Sequence, residues 1–446
     1  MCKSINIIGK EVIVAVLIMV LATTGAFAWS LSDAAKSYRG ITLRMVTETT
    51  PPSDALWHFV NEFETATGIK VIFERLGHPE LEEKATMDFV SNAGIYDIYN
   101  MDTADVGRCV ESGFFRPVRP FIEDKNLTSP DFTLEDFMPR GVKGCSEWNG
   151  VLYGLPFDNV VEFWAYRGDL FNEYGVSVPD SWDELRSVVE KLTLDQNGDG
   201  KIDLYGLGMM GRRFISINWD YFFYLWGAGG EIYNAEYIPQ VNSSESIAAL
   251  KFWKSLMKYA PPGVTTWDYN EVRDAFAQGI IATGIEWDDQ LEQLENPAKS
   301  KVVGKMSYDT FPGRTASMSR TAHYGGSSLV IPSSSKHPEA AWLFVQWATS
   351  PEIQFKAAPY GYHPTIGKFY TQPDMKAKYP KKWRMYDIEY RAARVMNFRP
   401  QIPEWGAMRE AMMKQLSKFL VGQITAEQCA TTMNAELTEL LSSRIK

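Results

Sequence analysis

The feature that most constrains how this chain can fold is a strand–helix–strand alternation, punctuated at each junction, near its start. Residues 41–46 form a short strand-like run ending in Thr47-Glu48-Thr49-Thr50, and Pro51-Pro52-Ser53-Asp54 then punctuates the chain. Residues 55–67 then place Leu56, Phe59, Val60 and Phe63 on one helical face, Gly68 ends the helix, and residues 69–73 begin a second strand. Two strands joined through a helix within about 35 residues make a parallel, right-handed βαβ unit. A third strand over 95–101 leads into Asp102-Thr103-Ala104-Asp105 and a helix ending near Gly113. The chain therefore reads as α/β. In open α/β sheets ligands gather where strands end and helices begin, so Glu48 and Asp102 are expected on a ligand-facing rim.

The same alternation continues. Residues 150–156 and 160–166 read as a strand pair, and Ser181 with Glu184 three residues on has the spacing of a capping box at a helix start. Residues 214–226 are dense in aromatics and stop at Gly227–Gly230, while 247–259, 269–278, 338–348 and 404–420 have amphipathic helical spacing. A length of 446 residues exceeds one compact core and implies two or three lobes. No repeat or low-complexity tether is present, so the lobes must be joined by crossings within the fold.

A net charge of -10 opposes a nucleic-acid partner, whose phosphates need a basic face. The 14 Trp and 21 Tyr point instead to a cleft lined with rings. Lys3 and Lys10 precede an apolar run over 12–22 and then Ala26-Phe27-Ala28, the pattern of a secretory signal cut after Ala28. The run is too short to span a bilayer. Export leaves three cysteines. Cys109 and Cys145, in one sequence neighbourhood, are expected to form a disulfide, with three buried thiols as the alternative. No cysteine follows the signal to carry a lipid, which points to a freely diffusing protein of a Gram-negative periplasm.

The order of several motifs resembles the extracellular solute-binding proteins of family 1, the maltose-binding-protein-like carbohydrate receptors of ABC importers. The resemblance rests on Phe63-Glu64-Thr65-Ala66-Thr67-Gly68-Ile69-Lys70-Val71, on Tyr96-Asp97-Ile98 with Gly113-Phe114-Phe115, and on Gly150-Val151-Leu152-Tyr153-Gly154-Leu155-Pro156. It continues through Tyr166-Arg167-Gly168-Asp169-Leu170-Phe171, Ser181-Trp182-Asp183-Glu184-Leu185, Ala275-Phe276 with Gly279 and Trp287, Ser335-Lys336-His337-Pro338-Glu339-Ala340-Ala341, and Gly422-Gln423-Ile424-Thr425. It implies a two-lobe periplasmic binding protein fold (type II-like) whose hinge crossings let the lobes close on a ligand. By position, lobe one takes 36–149 plus 320–358 and lobe two 150–319 plus 359–446. The family's aromatic after the third strand is Met101 here.

A polyhydroxylated ligand offers hydroxyls to polar groups and a C–H face to flat rings. The resemblance places a stacking aromatic at about Trp219 and another at Trp287, and it aims the first turn of a C-terminal helix, with Trp405 and Arg409, at the pocket. Trp226 closes the aromatic segment, Tyr324 precedes Gly325-Gly326 at the expected lobe crossing, and Tyr362 sits at a hinge-like return. Asp158, like Glu48 and Asp102, lies near a strand end. Each of these is expected to bind ligand, with core packing or a solvated loop charge as the alternative.

Asp195, Asn197, Asp199, Lys201 (through its carbonyl) and Asp203 have the spacing of a calcium loop, but Gly206 stands where the bidentate Glu belongs. An empty Asp/Asn/Gly turn is the alternative, and no other cofactor is expected. His58, His78, His323, His337 and His363 show no metal-binding spacing, and neither Gly-x-Ser-x-Gly nor a P-loop occurs. The expected function is capture of a carbohydrate or polyol by a monomeric periplasmic protein that delivers it to an ABC permease. An exported glycoside-active enzyme with paired carboxylates is the alternative, and a receptor feeding a sensor is a third reading.

Overall fold

The computed structural model describes residues 29–380 and 382–445, so the expected export signal lies outside the described residues. The βαβ start forms as read. Thr42–Glu48 pairs in parallel with Lys70–Leu76 on one side and Ile98–Asp102 on the other. Its intervening helix is split in two, Pro51–Trp57 and Val60–Thr67, the first opening on prolines that suit a helix's first turn. Gly68 stops the second at φ 73°, a left-handed conformation only glycine adopts freely. Ser327–Val330 adds antiparallel to Ile98–Asp102, and Gly154–Asp158 completes the five-stranded sheet of lobe one.

A second sheet takes the order Met396–Phe398, Ala322–Tyr324, Val161–Arg167, Ile281–Trp287, Tyr205–Leu207, with Met306–Asp309 also on Val161–Arg167. Ile281–Trp287 is buried along its whole length, as a strand covered on both faces must be. The helix before it, Tyr269–Gln278, opens on a full Asp268–Glu271 capping box and ends at Gly279 with φ 75°. Ser181 caps Trp182–Lys191 as expected, although Glu184 reaches the Asp180 amide and not that of Ser181.

Each sheet has its own core. Phe63, Trp342 and Phe344 pack in lobe one, and Trp164, Phe222 and Trp253 in lobe two, joined there by Met408, Met412 and Met433 of the C-terminal helices Trp405–Leu420 and Ala426–Leu440. This separation corrects the expected boundaries. The 150–156 and 160–166 segments are not one strand pair. Gly154–Asp158 lies in the first sheet and Val161–Arg167 in the second, so the first crossing is at 159–160. Ala322–Tyr324 belongs to lobe two, which moves the second crossing to Gly325-Gly326. Tyr362 and Ile366 still pack in lobe one, so the third crossing follows 366 instead of 358. The first two changes rest on hydrogen bonding between strands distant in sequence and the third on packing, neither of which local periodicity carries.

Cys109 and Cys145 are free, which corrects the expected disulfide. They belong to different packing clusters, Cys109 beside Tyr99 and Phe115 and Cys145 in the lobe-two core. The Cys145 thiol donates to the Gly141 carbonyl, 3.0 Å away.

Candidate functional site

The lobes face each other across a cavity of about 510 Å³, a size ordinary for small-molecule sites. Its two walls differ in chemistry. Lobe one supplies Glu48, Thr50, His78, Glu82, Asn100 and Asp102, and lobe two supplies the rings of Phe214, Trp219, Tyr269 and Trp287. The crossings form the floor with Asp158, Val160, Gly325 and Ser327. Strand ends deliver Glu48, Asp102, Asp158 and Trp287 to this point, as sheet topology requires.

The rings form a continuous surface. Trp219 meets Trp287 edge-on at 5.3 Å between centroids and lies 6.0 Å from Tyr269. Gly325 is required here, because a Cβ would come within 2.3 Å of the Trp287 ring. Behind Trp287, His323 Nδ1 is 2.7 Å from Glu162 with both side chains fully buried. Burial pushes the Glu162 carboxyl well up and the His323 imidazole well down, which makes them a neutral hydrogen-bonded pair.

Each cation lining the cavity, among the described residues, already has a carboxylate. His78 Nδ1 lies 3.1 Å from Glu48. Burial opposes its protonation, but the hydrogen bond and charge of Glu48, with Asp102 and Asp105 behind, raise its pKa to about 9. Arg399 Nη2 donates to both oxygens of Asp102 at 3.0 Å. The Asn100 amide donates to Thr47 Oγ1 at 3.0 Å. Asp158 Oδ1 accepts the Ser327 amide at 2.9 Å. Burial lifts its carboxyl to about 7, against the pull of Ser327 and His363.

That raised value has a sign. From about pH 4 to pH 7 the folded protein holds a proton on Asp158 that the unfolded chain has released, so this group's contribution to stability falls as pH rises through the window. The melting temperature of Asp158→Asn is therefore expected to climb relative to wild type between pH 5 and pH 8, as thermal unfolding in matched buffers will read. A constant difference would place the titration elsewhere.

Five of the expected residues meet in this cavity: Glu48, Asp102, Asp158, Trp219 and Trp287. Trp226 lines a second cavity of about 570 Å³, and Trp405 and Arg409 a third, smaller one. Tyr324 and Tyr362 are corrections. Both are fully buried, Tyr324 with its hydroxyl 3.4 Å from the Asp158 carbonyl and Tyr362 donating to the Phe157 carbonyl. At the second crossing Gly325 meets the cavity while Tyr324 packs behind it on Phe398. Sequence reasoning missed His78, Glu82, Asn100, Phe214, Tyr269 and Arg399. Asn100 had a usable signal, two residues before Asp102 on the same strand face.

The carboxylates of the 195–203 loop accept its own amides. Asp195 takes those of Gly198, Asp199 and Gly200, and Asp203 those of Gln196 and Asn197. Asn197 Oδ1 accepts the Asp199 amide and Asp199 accepts that of Lys201.

Two α/β lobes joined by chain crossings, with a polar wall facing an aromatic wall, define a two-lobe binding protein that holds a small solute between its halves. The sequence model of the bacterial extracellular solute-binding proteins matches residues 47–355, and the chain belongs to that family. It is an exported binding protein and not an enzyme. A probable amino-acid ABC transporter periplasmic-binding protein of Sinorhizobium fredii is 24% identical, covering 94% of each chain. A mannitol-binding protein of Pseudomonas aeruginosa is 26% identical across 60% of each. A solute-binding protein of Agrobacterium radiobacter K84, solved in complex with ribitol, superposes with a TM-score of 0.78 at 26% identity, over 90% of this chain and 99% of that one.

Proposed function

We propose that this protein captures a neutral polyhydroxylated solute, a polyol or small sugar, in the periplasm and hands it to an ABC permease. The observation that carries this reading is the pairing of the cleft's cations. Glu48, Asp102, Asp158 and Glu82 offer acceptors to hydroxyls, Trp219 and Trp287 offer faces to C–H groups, and Arg399 and His78 are both engaged by carboxylates. The mannitol and ribitol ligands of its relatives have this chemistry. The protein acts as a monomer after cleavage behind Ala28. Binding energy goes into favouring the closed arrangement, with no bond made or broken.

The Sinorhizobium relative favours a second reading, an amino acid. The helix starts at His78 and Tyr269 border the cavity, but an α-carboxylate would find no unengaged cation there and would sit beside the Glu48 carboxylate, which opposes it.

Thermal-shift and calorimetric titration with mannitol, ribitol, glucose and a set of amino acids separates the two. A polyol or sugar should raise the melting temperature and be recovered unchanged, by about 2.7 kcal/mol of stabilisation at a hundredfold excess over Kd. Stabilisation by an amino acid alone would overturn the reading. The 195–203 loop, closed by its own amides, is proposed as a metal-free turn. Calcium at about 1 mM, the range of extracellular sites, should leave the melting temperature unchanged, and a rise would assign the loop a cation.

A further inference from the structure

Three cavities converge on one side chain. The main cleft, the 570 Å³ cavity beside it and the small cavity under Trp405 share a single lining residue, Arg399, among the described residues. The two large cavities have no other residue in common. Arg399 follows the Met396–Phe398 strand of lobe two, and its side chain is 6% exposed. It reaches across to Asp102 at the end of a lobe-one strand and grips both carboxylate oxygens at 3.0 Å. Asp102 is itself held by the Ala104 amide at 2.6 Å, so the pair is anchored on both sides. Both contacts come from the single nitrogen Nη2, a charge-assisted hold on the carboxylate.

The neighbouring cavity has the chemistry of a sugar site in its own right. Trp148, Trp226 and Tyr233 offer rings, while Asn149, Asn234 and Asn397 offer amides. Arg399 is the one residue that lines both this cavity and the main cleft among the described residues.

We propose that the Asp102–Arg399 pair is a partition that sets ligand length. It closes the end of the main cleft so that one compact polyol or monosaccharide is enclosed, and it denies a longer saccharide the second aromatic cavity. This rests on the polyhydroxylated-ligand reading and adds to it the residue that sets an upper size. Specificity of this kind comes from an obstacle to the wrong ligand as much as from contacts to the right one.

The test is calorimetric titration of wild type and Arg399→Ala with mannitol and with maltotriose. Removing the guanidinium should open one continuous cavity, so maltotriose affinity should rise by about tenfold or more while mannitol binding weakens. Asp102→Asn, which keeps the side-chain volume but loosens the grip, should shift preference the same way by less, and it stands in if Arg399→Ala does not fold. A folded variant with the wild-type ratio of the two affinities would overturn the partition. A crystal structure of Arg399→Ala gives a ligand-independent reading, with one joined cavity expected and two separate ones overturning the proposal. Wild type that binds neither a polyol nor a sugar would instead defeat the ligand reading, leaving the partition to be judged on that structure.

Discussion

Glu389→Ala is expected to cost about 3–5 kcal/mol of stability, the loss typical when one partner is removed from a buried ion pair. Glu389 Oε1 lies 2.9 Å from His363 Nδ1, with Asp288 at 3.5 Å on the same nitrogen, and all three side chains are fully buried. Burial disfavours a charged imidazole here, but the Asp288 and Glu389 charges outweigh it and hold the His363 pKa well above its ordinary value. Several further bonds of the cluster reach the lobe crossings. Asp288 accepts the Val161 amide at 2.9 Å, the Asn159 amide donates to the His363 carbonyl at 3.1 Å, and Glu389 accepts the Tyr370 hydroxyl at 2.9 Å. Removing Glu389 leaves a buried cation with one distant partner and a tyrosine hydroxyl with less to bond. Urea unfolding followed by tryptophan fluorescence measures the change. Glu389→Gln, which keeps an acceptor for Tyr370, should lose less, and equal losses would show that shape and not charge matters there.

Trp287→Ala should weaken polyol binding by about 1–3 kcal/mol, roughly 5- to 150-fold in Kd, with the fold retained. Its ring spans the floor and the aromatic wall, against Gly325 on one side and Trp219 on another. The substitution removes a face for the ligand and also lets Trp219 drift. Trp287→Phe, which keeps a smaller face, should recover part of the affinity. Calorimetry with mannitol reads both, and unaltered affinity in Trp287→Ala would reduce the ring to scaffold.

How much of this was legible in the sequence depended on how locally each feature is determined. The βαβ start could be read because Gly68 and the proline pair mark its joints, and the rim residues Glu48 and Asp102 followed from the rule that strand ends carry ligands. Trp287 was legible for the same reason, together with the resemblance. Arg399 was not, because it lies just past a three-residue strand whose position comes only from pairing with Ala322–Tyr324. His78 likewise opens a helix whose relation to Glu48 exists only once two strands have paired in register. Tyr324 was misread for an instructive reason. The glycine pair did signal close approach to the cavity, but Gly325 itself makes that approach and the tyrosine beside it serves the core.

The three cysteines of the described residues carry a last consequence. Cys109, Cys145 and Cys429 are buried free thiols, and burial pushes the Cys145 and Cys429 groups up to about 12, far from the thiolate that oxidants attack. No covalent staple supports either lobe, so noncovalent packing alone maintains the architecture. The described lobes therefore call on no disulfide chemistry from the compartment the protein is exported to. Dithiothreitol is accordingly expected to leave the melting temperature unchanged.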